Sequence, residues 1–155
     1  VGLPQAKLAW ILVSGPDDRT SAALDALEMI ADTYLSVSTP VQLALPVLLS
    51  EGASVREQIA TRIASNLDHL VARLADTVFD VRIPDGGWSV VLRVPAVGEP
   101  DELARTLLDS GVLVHPGYLY DLPHDGYLVL SLLVAEADMR RGLDVLCALP
   151  MLQFT

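Results

Sequence analysis

Few side chains in this sequence could carry chemistry. Lys7 is the sole lysine, and an amine of this kind does one of two jobs: it forms an imine with a carbonyl compound, or it stands as a point charge beside an anion. A lysine at the end of an apolar run also commonly snorkels to water, so its position alone leaves the readings open. His115-Pro116-Gly117-Tyr118 sets an imidazole and a phenol on either side of a Pro-Gly pair. Pro second and Gly third predict a type II turn, in which His115 caps a strand. Tyr120, Asp121 and His124 follow as a polar loop, which reads as a flap over a site or as an ordinary connection.

Other chemistries find no support. His69, His115 and His124 lack metal-ligand spacing and the acidic residues are dispersed, so no metal site is expected. Neither a Ser-His-Asp logic nor a Gly-rich phosphate loop is readable. Cys147 is the single cysteine, which excludes a disulfide framework and a Cys-based metal site and points to a cytoplasmic setting. A formal net charge of -10 without any Lys/Arg cluster argues against nucleic acid and against an anionic membrane. The longest apolar runs, near Leu8–Val13 and Tyr127–Ala135, fall short of the roughly 18 to 20 residues that span a bilayer, so a soluble protein is expected. Hydrophobic residues at 52% and a mean hydropathy of +0.44 hint at apolar surface that another segment or subunit covers. The start at Val1, without Met and without signal-peptide features, reads as a trimmed or proteolytic N-terminus.

These residues need elements to position them. Lys7–Val13 is a nearly continuous apolar run closed by Ser14-Gly15-Pro16, the pattern of a strand buried on both faces. Its partner strands are expected upstream of Val1. Asp17–Leu35 carries Leu24, Leu27, Ile30 and Ala31 at helical spacing with acidic residues at its start, where the macrodipole favours them. A second helix is predicted from Pro40 to about Ser50, kinked at Pro46. Ser54-Val55-Arg56-Glu57 reads as a capping box opening a helix to about Ala75, the longest element and a candidate bridge between domains. Beyond Asp80 the texture turns to short strands. Trp88, Val90, Leu92 and Val94 alternate with Ser89, Val91 and Arg93 after the Pro84-Asp85-Gly86-Gly87 turn. A short helix over Pro100–Ser110, strands at Val112–Val114 and Tyr127–Leu133, and a helix over Glu136–Ala148 complete a β-α-β-β-α order, a small two-layer α/β domain.

Gly2-Leu3-Pro4-Gln5-Ala6-Lys7-Leu8-Ala9-Trp10 resembles the segment that follows the Schiff-base lysine in class I/II aminotransferases, where a basic residue stands eight positions after that lysine. Tyr34–Gln42 is similar to their link before the long interdomain helix, Gly86-Gly87-Trp88 to the start of their small-domain sheet, and Gly111–Tyr118 to a strand and Pro-Gly turn in the same order. The resemblance covers nearly the whole chain. It implies the C-terminal portion of a fold-type I enzyme dependent on pyridoxal phosphate (PLP): a remnant of the large domain over 1–35, interdomain helices over 36–78, and the small domain over 79–155. It places the cofactor lysine two residues before Val1, makes Lys7 a contact of the cofactor phosphate, and sets His115, Tyr118 and Val129 near the substrate. Amino acid and 2-keto acid substrates and a homodimer follow from it, as does a chain inactive by itself, since no second lysine exists.

One position departs from the family. Where an Arg-hydrophobic-Ser run commonly grips the substrate carboxylate, this chain has Val129-Leu130-Ser131. Arg93, Arg140 and Arg141 are the nearby replacements in sequence, and each also reads as a solvated surface charge. Two alternatives to the transaminase remain. One is another fold-type I enzyme, a lyase, decarboxylase or acyl-condensing enzyme. The other is a non-catalytic α/β module for ligand binding or dimerisation.

Overall fold

The computed structural model describes residues 2–34, 37–95, 100–122 and 126–152. It divides into two compact units, Val1–Glu57 and Gln58–Thr155.

The first unit holds a 3-10 turn (Pro4–Ala6), α1 (Asp17–Thr33), α2 (Thr39–Glu51) and the start of α3 (Ala53–Leu74). Asp17 and Asp18 lie in the first turn of α1, where the macrodipole favours them. Pro40 opens α2 as expected, and the helix runs on through Pro46 although the missing N–H there leaves one carbonyl unserved. The predicted strand over Lys7–Val13 does not form: residues 7–14 take up no regular structure. The physical reason is that a strand owes its backbone hydrogen bonds to neighbours, and no described strand pairs with this run. Trp10, Ile11 and Leu12 are 66%, 71% and 90% exposed, and no described side chain of this unit is buried. Leu24 and Ile30, expected to face inward on α1, are half exposed for the same reason. The unit has apolar faces but no core of its own among the described residues.

Ser54 also departs from expectation. Helix α3 starts at Ala53, two residues before a Ser54 cap would place it and directly behind Gly52, whose carbonyl accepts from the Arg56 N–H at 3.1 Å. Ser54 thus lies inside the first turn and cannot act as its N-cap.

The second unit contains the rest of α3, then β1 (Asp80–Arg82), β2 (Ser89–Arg93), α4 (Pro100–Asp109), β3 (His115–Pro116), a 3-10 turn (Gly117–Tyr120), β4 (Tyr127–Ser131) and α5 (Glu136–Ala148). The strands form an antiparallel sheet in the order β1-β2-β4-β3. Alternation decides its two faces. Val81, Val90, Leu92, Leu128 and Leu130 point into one cluster with Leu70 and Leu74 of α3, Leu107 of α4, and Met139, Leu143 and Leu146 of α5. Val90, Leu92 and Leu107 are completely inaccessible, and burying a side chain of this size contributes about 1.5 to 3 kcal/mol. The described helices of the unit therefore share one face, the expected two-layer arrangement, and none of them covers the opposite face of the sheet.

The strand expected at Val112–Val114 is displaced to His115–Pro116. Gly111, at φ +78°, ends α4: its N–H reaches the Leu108 carbonyl at 2.9 Å and the Val112 N–H reaches Leu107 at 2.8 Å, a Schellman closure. Val112 and Val114 leave that closure toward the core, and pairing with β4 begins only at His115. The type II turn is corrected too. Pro116 belongs to the ladder, Gly117 lacks the positive φ such a turn requires, and the chain coils instead through Gly117–Tyr120. Glycine is needed at 117 for space, because a Cβ there would lie 2.5 Å from the Tyr127 Cβ. Strand β4 ends at Ser131, two residues before the predicted limit.

Candidate functional site

The helix-free face of the sheet brings two of the sequence-selected residues together. His115 is the direct cross-strand partner of Val129, Val129 of Val91, and Val91 of Arg82. Residues directly opposite in antiparallel strands point the same way, so Arg82, Val91, Val129 and His115 form one row across all four strands. Val129 is 6% exposed yet stands outside the helix-covered core, which puts it in the middle of this second face. Ser89 and Ser131 flank the row on one side, Arg93 and Tyr127 on the other.

His115 is exposed and does not act alone. Its Nδ1 lies 2.7 Å from the Tyr120 Oη, and the two rings stack with centroids 5.9 Å apart at 26°. The 3-10 turn makes this possible by carrying Tyr120 back toward β3. Tyr118, the third candidate, is engaged elsewhere: its hydroxyl donates to Asp101 Oδ1 on α4 at 2.7 Å. The hydrogen bond to that carboxylate, followed by desolvation and the carboxylate's charge, holds the phenol above its ordinary pKa. His124 lies outside the described residues.

Lys7 belongs to the first unit. It ends the Pro4–Ala6 turn in a left-handed conformation, φ 52°, rather than standing on a strand, and its side chain is exposed without an ion-pair partner among the described residues.

The three arginines near Val129 in sequence are sorted by the fold. Arg140 and Arg141 sit on α5, in the helical layer behind the sheet, and Arg141 pairs with Asp138 at 3.0 Å. Arg93 shares the helix-free face, diagonal to Val129, and makes no ion pair among the described residues. Arg82 is held by Asp80 at 3.3 Å.

Sequence reasoning missed three partners: Tyr120 for His115, Asp101 for Tyr118, and Asn66. Asn66 is 1% exposed on α3 and donates from Nδ2 to the Leu132 and Val134 carbonyls, both at 2.9 Å. The one signal for Asn66 was an amide within the apolar stripe of α3. For the other two there was none, since their partners meet only through the fold. Among the described residues no group of three His, Cys, Asp or Glu side chains could hold a metal, and no helix is long and apolar enough to cross a membrane.

The family model for aminotransferase class I and II matches residues 1–146. The chain belongs to the class I and II aminotransferases. Solved aminotransferases agree in fold. The α-aminoadipate aminotransferase of Thermus thermophilus, complexed with N-(5'-phosphopyridoxyl)-L-leucine, superposes at a TM-score of 0.64 with 21% identity, over 82% of this chain and 34% of that one. The aromatic aminotransferase of Pyrococcus horikoshii gives 0.65 and 16%, over 77% and 33%. A tetra mutant of Thermus thermophilus aspartate aminotransferase complexed with tryptophan gives 0.65 and 22%, over 84% and 34%. The chain thus spans about a third of the length of these aminotransferases. No curated protein sequence matches it significantly. The fold is that of the fold-type I aminotransferases.

Proposed function

We propose that this chain is the C-terminal portion of a PLP-dependent aminotransferase that moves an amino group from an amino acid to a 2-keto acid. In this reading residues 1–35 are the end of the cofactor-binding domain, 36–78 the interdomain helices and 79–155 the small domain, in a protein that works as a homodimer. The observation that carries it is the family match over residues 1–146, which takes in the Gly2–Trp10 segment and Lys7.

What the residues present can offer the cofactor is limited and specific. Lys7 is an exposed ammonium without an acid partner among the described residues, a fit for one contact with a phosphate dianion, made as a point charge. PLP, when bound, supplies an electron sink for charge at the substrate Cα. The amine that holds the cofactor and moves the Cα proton is assigned to a lysine two residues before Val1, and the chain by itself is inactive. Trp10–Leu12, bare here, fits the reading of a strand that joins a sheet built by preceding residues.

Val129 cannot grip a carboxylate. The face that carries it offers Arg93 in exchange: diagonal neighbours across a strand pair lie about 7 to 8 Å apart, within reach of a long side chain, and a guanidinium suits a carboxylate bidentately. Arg93, His115 and Val129 would then meet the substrate from one sheet face, with Tyr118 bracing the turn beside it.

The test is an assay of the full-length enzyme carrying this segment for amino transfer from amino acids to 2-keto acids, with the 155-residue chain as control. Transfer by the former alone is expected. Ammonia or carbon dioxide release without transfer would replace the reading with a lyase or decarboxylase.

A further inference from the structure

His115 and Tyr120 form a polar pair that neither the core nor an ion pair accounts for. Their 2.7 Å contact joins Nδ1 to the phenol oxygen. A phenol is the stronger donor and an imidazole nitrogen without a proton the stronger acceptor, which favours Tyr120 O–H donating to Nδ1. In that arrangement Nε2 carries an N–H, which has no partner among the described residues. Stacking against the Tyr120 ring and the cross-strand position opposite Val129 hold the imidazole in the row that runs over Val129 and Val91.

From this geometry we infer that Tyr120 is a positioning residue, fixing the His115 ring so that Nε2 carries the N–H offered to a substrate oxygen beside the half-buried Val91 side chain. A single N–H donor beside the Val91 side chain suits a hydroxyl or carbonyl oxygen on an otherwise apolar amino-acid side chain. A site built to hydrogen-bond such an oxygen rejects the analogue that lacks it. The identity of the substrate as an amino acid rests on the aminotransferase reading above; the tautomer does not.

The experiment uses the full-length, cofactor-loaded enzyme and two amino donors, one bearing a side-chain hydroxyl or carbonyl and its deoxy analogue. Tyr120→Phe is expected to raise KM for the first donor about tenfold, with kcat within about twofold, and to leave the second unchanged. His115→Gln, whose amide nitrogen stands near the Nε2 position, keeps KM within about threefold. His115→Asn, whose nitrogen stands near Nδ1, loses about tenfold. Tyr120→Phe added to His115→Gln changes nothing further, because the proton it governs is gone. Equal losses for Gln and Asn, or an undiminished effect of Tyr120→Phe in the Gln background, would overturn the inference. Selective 15N-histidine labelling supplies a readout independent of turnover: His115 protonated at Nε2 in the wild type and exchanging between tautomers in Tyr120→Phe. A wild-type proton on Nδ1 overturns the positioning claim whatever the kinetics. If that signature is found but no donor is transaminated, the aminotransferase reading has failed and the positioning claim has not.

Discussion

Asn66→Ala tests whether one buried amide on α3 holds the turn that ends β4 and starts α5. Its Nδ2 donates to the carbonyls of Leu132 and Val134, both at 2.9 Å, across 66 and 68 residues of sequence. The Leu132 bond is buried, so its carbonyl, once abandoned, takes the desolvation penalty of about 1 to 3 kcal/mol. The Val134 bond is only part-buried; water replaces it, and its loss costs nearer the ordinary net value of about 1 kcal/mol. Together they predict a loss of about 3 kcal/mol, a large part of the roughly 5 to 15 kcal/mol by which a domain is stable. Asn66→Asp should be worse at neutral pH, since a carboxylate would face two carbonyl oxygens. Urea unfolding of the chain followed by far-UV circular dichroism measures this, because every described buried side chain lies in Gln58–Thr155 and the cooperative transition reports that unit. A lower midpoint at unchanged slope is expected. A loss under about 0.5 kcal/mol for Asn66→Ala, or an Asn66→Asp as stable as wild type at pH 7, would refute the argument that this amide carries the turn.

Three other changes separate the remaining claims. Gly117→Ala drives a Cβ to 2.5 Å from that of Tyr127 and should cost about 1 to 3 kcal/mol, whereas Gly86→Ala, with nothing within 4 Å, should be neutral in the same unfolding experiment. Tyr118 is held above its ordinary 10.0 by Asp101; its bond stabilises fully below the unfolded pKa and is lost as pH rises through the raised folded value, so ultraviolet titration of Asp101→Asn should show one tyrosine ionising earlier than in wild type. In the full-length enzyme Lys7→Ala should weaken PLP binding about tenfold, roughly 1.4 kcal/mol, with Lys7→Arg close to wild type; fluorescence titration with the cofactor reads it, and an unchanged affinity removes Lys7 from the phosphate.

What this sequence determines by itself is local. The helices at Asp17–Thr33, Thr39–Glu51, Pro100–Asp109 and Glu136–Ala148 lie within about two residues of where spacing, prolines and acidic first turns put them, and the core residues of β2 and α5 follow from periods of about 2.0 and 3.6. Periodicity records which side chains avoid water, and that pattern is written along the chain. Pairing is not. Lys7–Val13 has the composition of a buried strand but no neighbour among the described residues, so it stays without a ladder; Val112–Val114 has strand composition as well, yet the Gly111 closure of α4 delays pairing until His115. The site shows the same division. His115, Tyr118 and Val129 were legible as residues, whereas the meeting of His115 with Val129 and Tyr120, the diversion of Tyr118 to Asp101, and the location of Arg93 on the sheet face with Val129 while Arg140 and Arg141 lie on α5 came from the tertiary structure. Hydrogen bonds and sheet register join residues far apart in sequence, and only the folded backbone brings them within the roughly 3 Å at which they act.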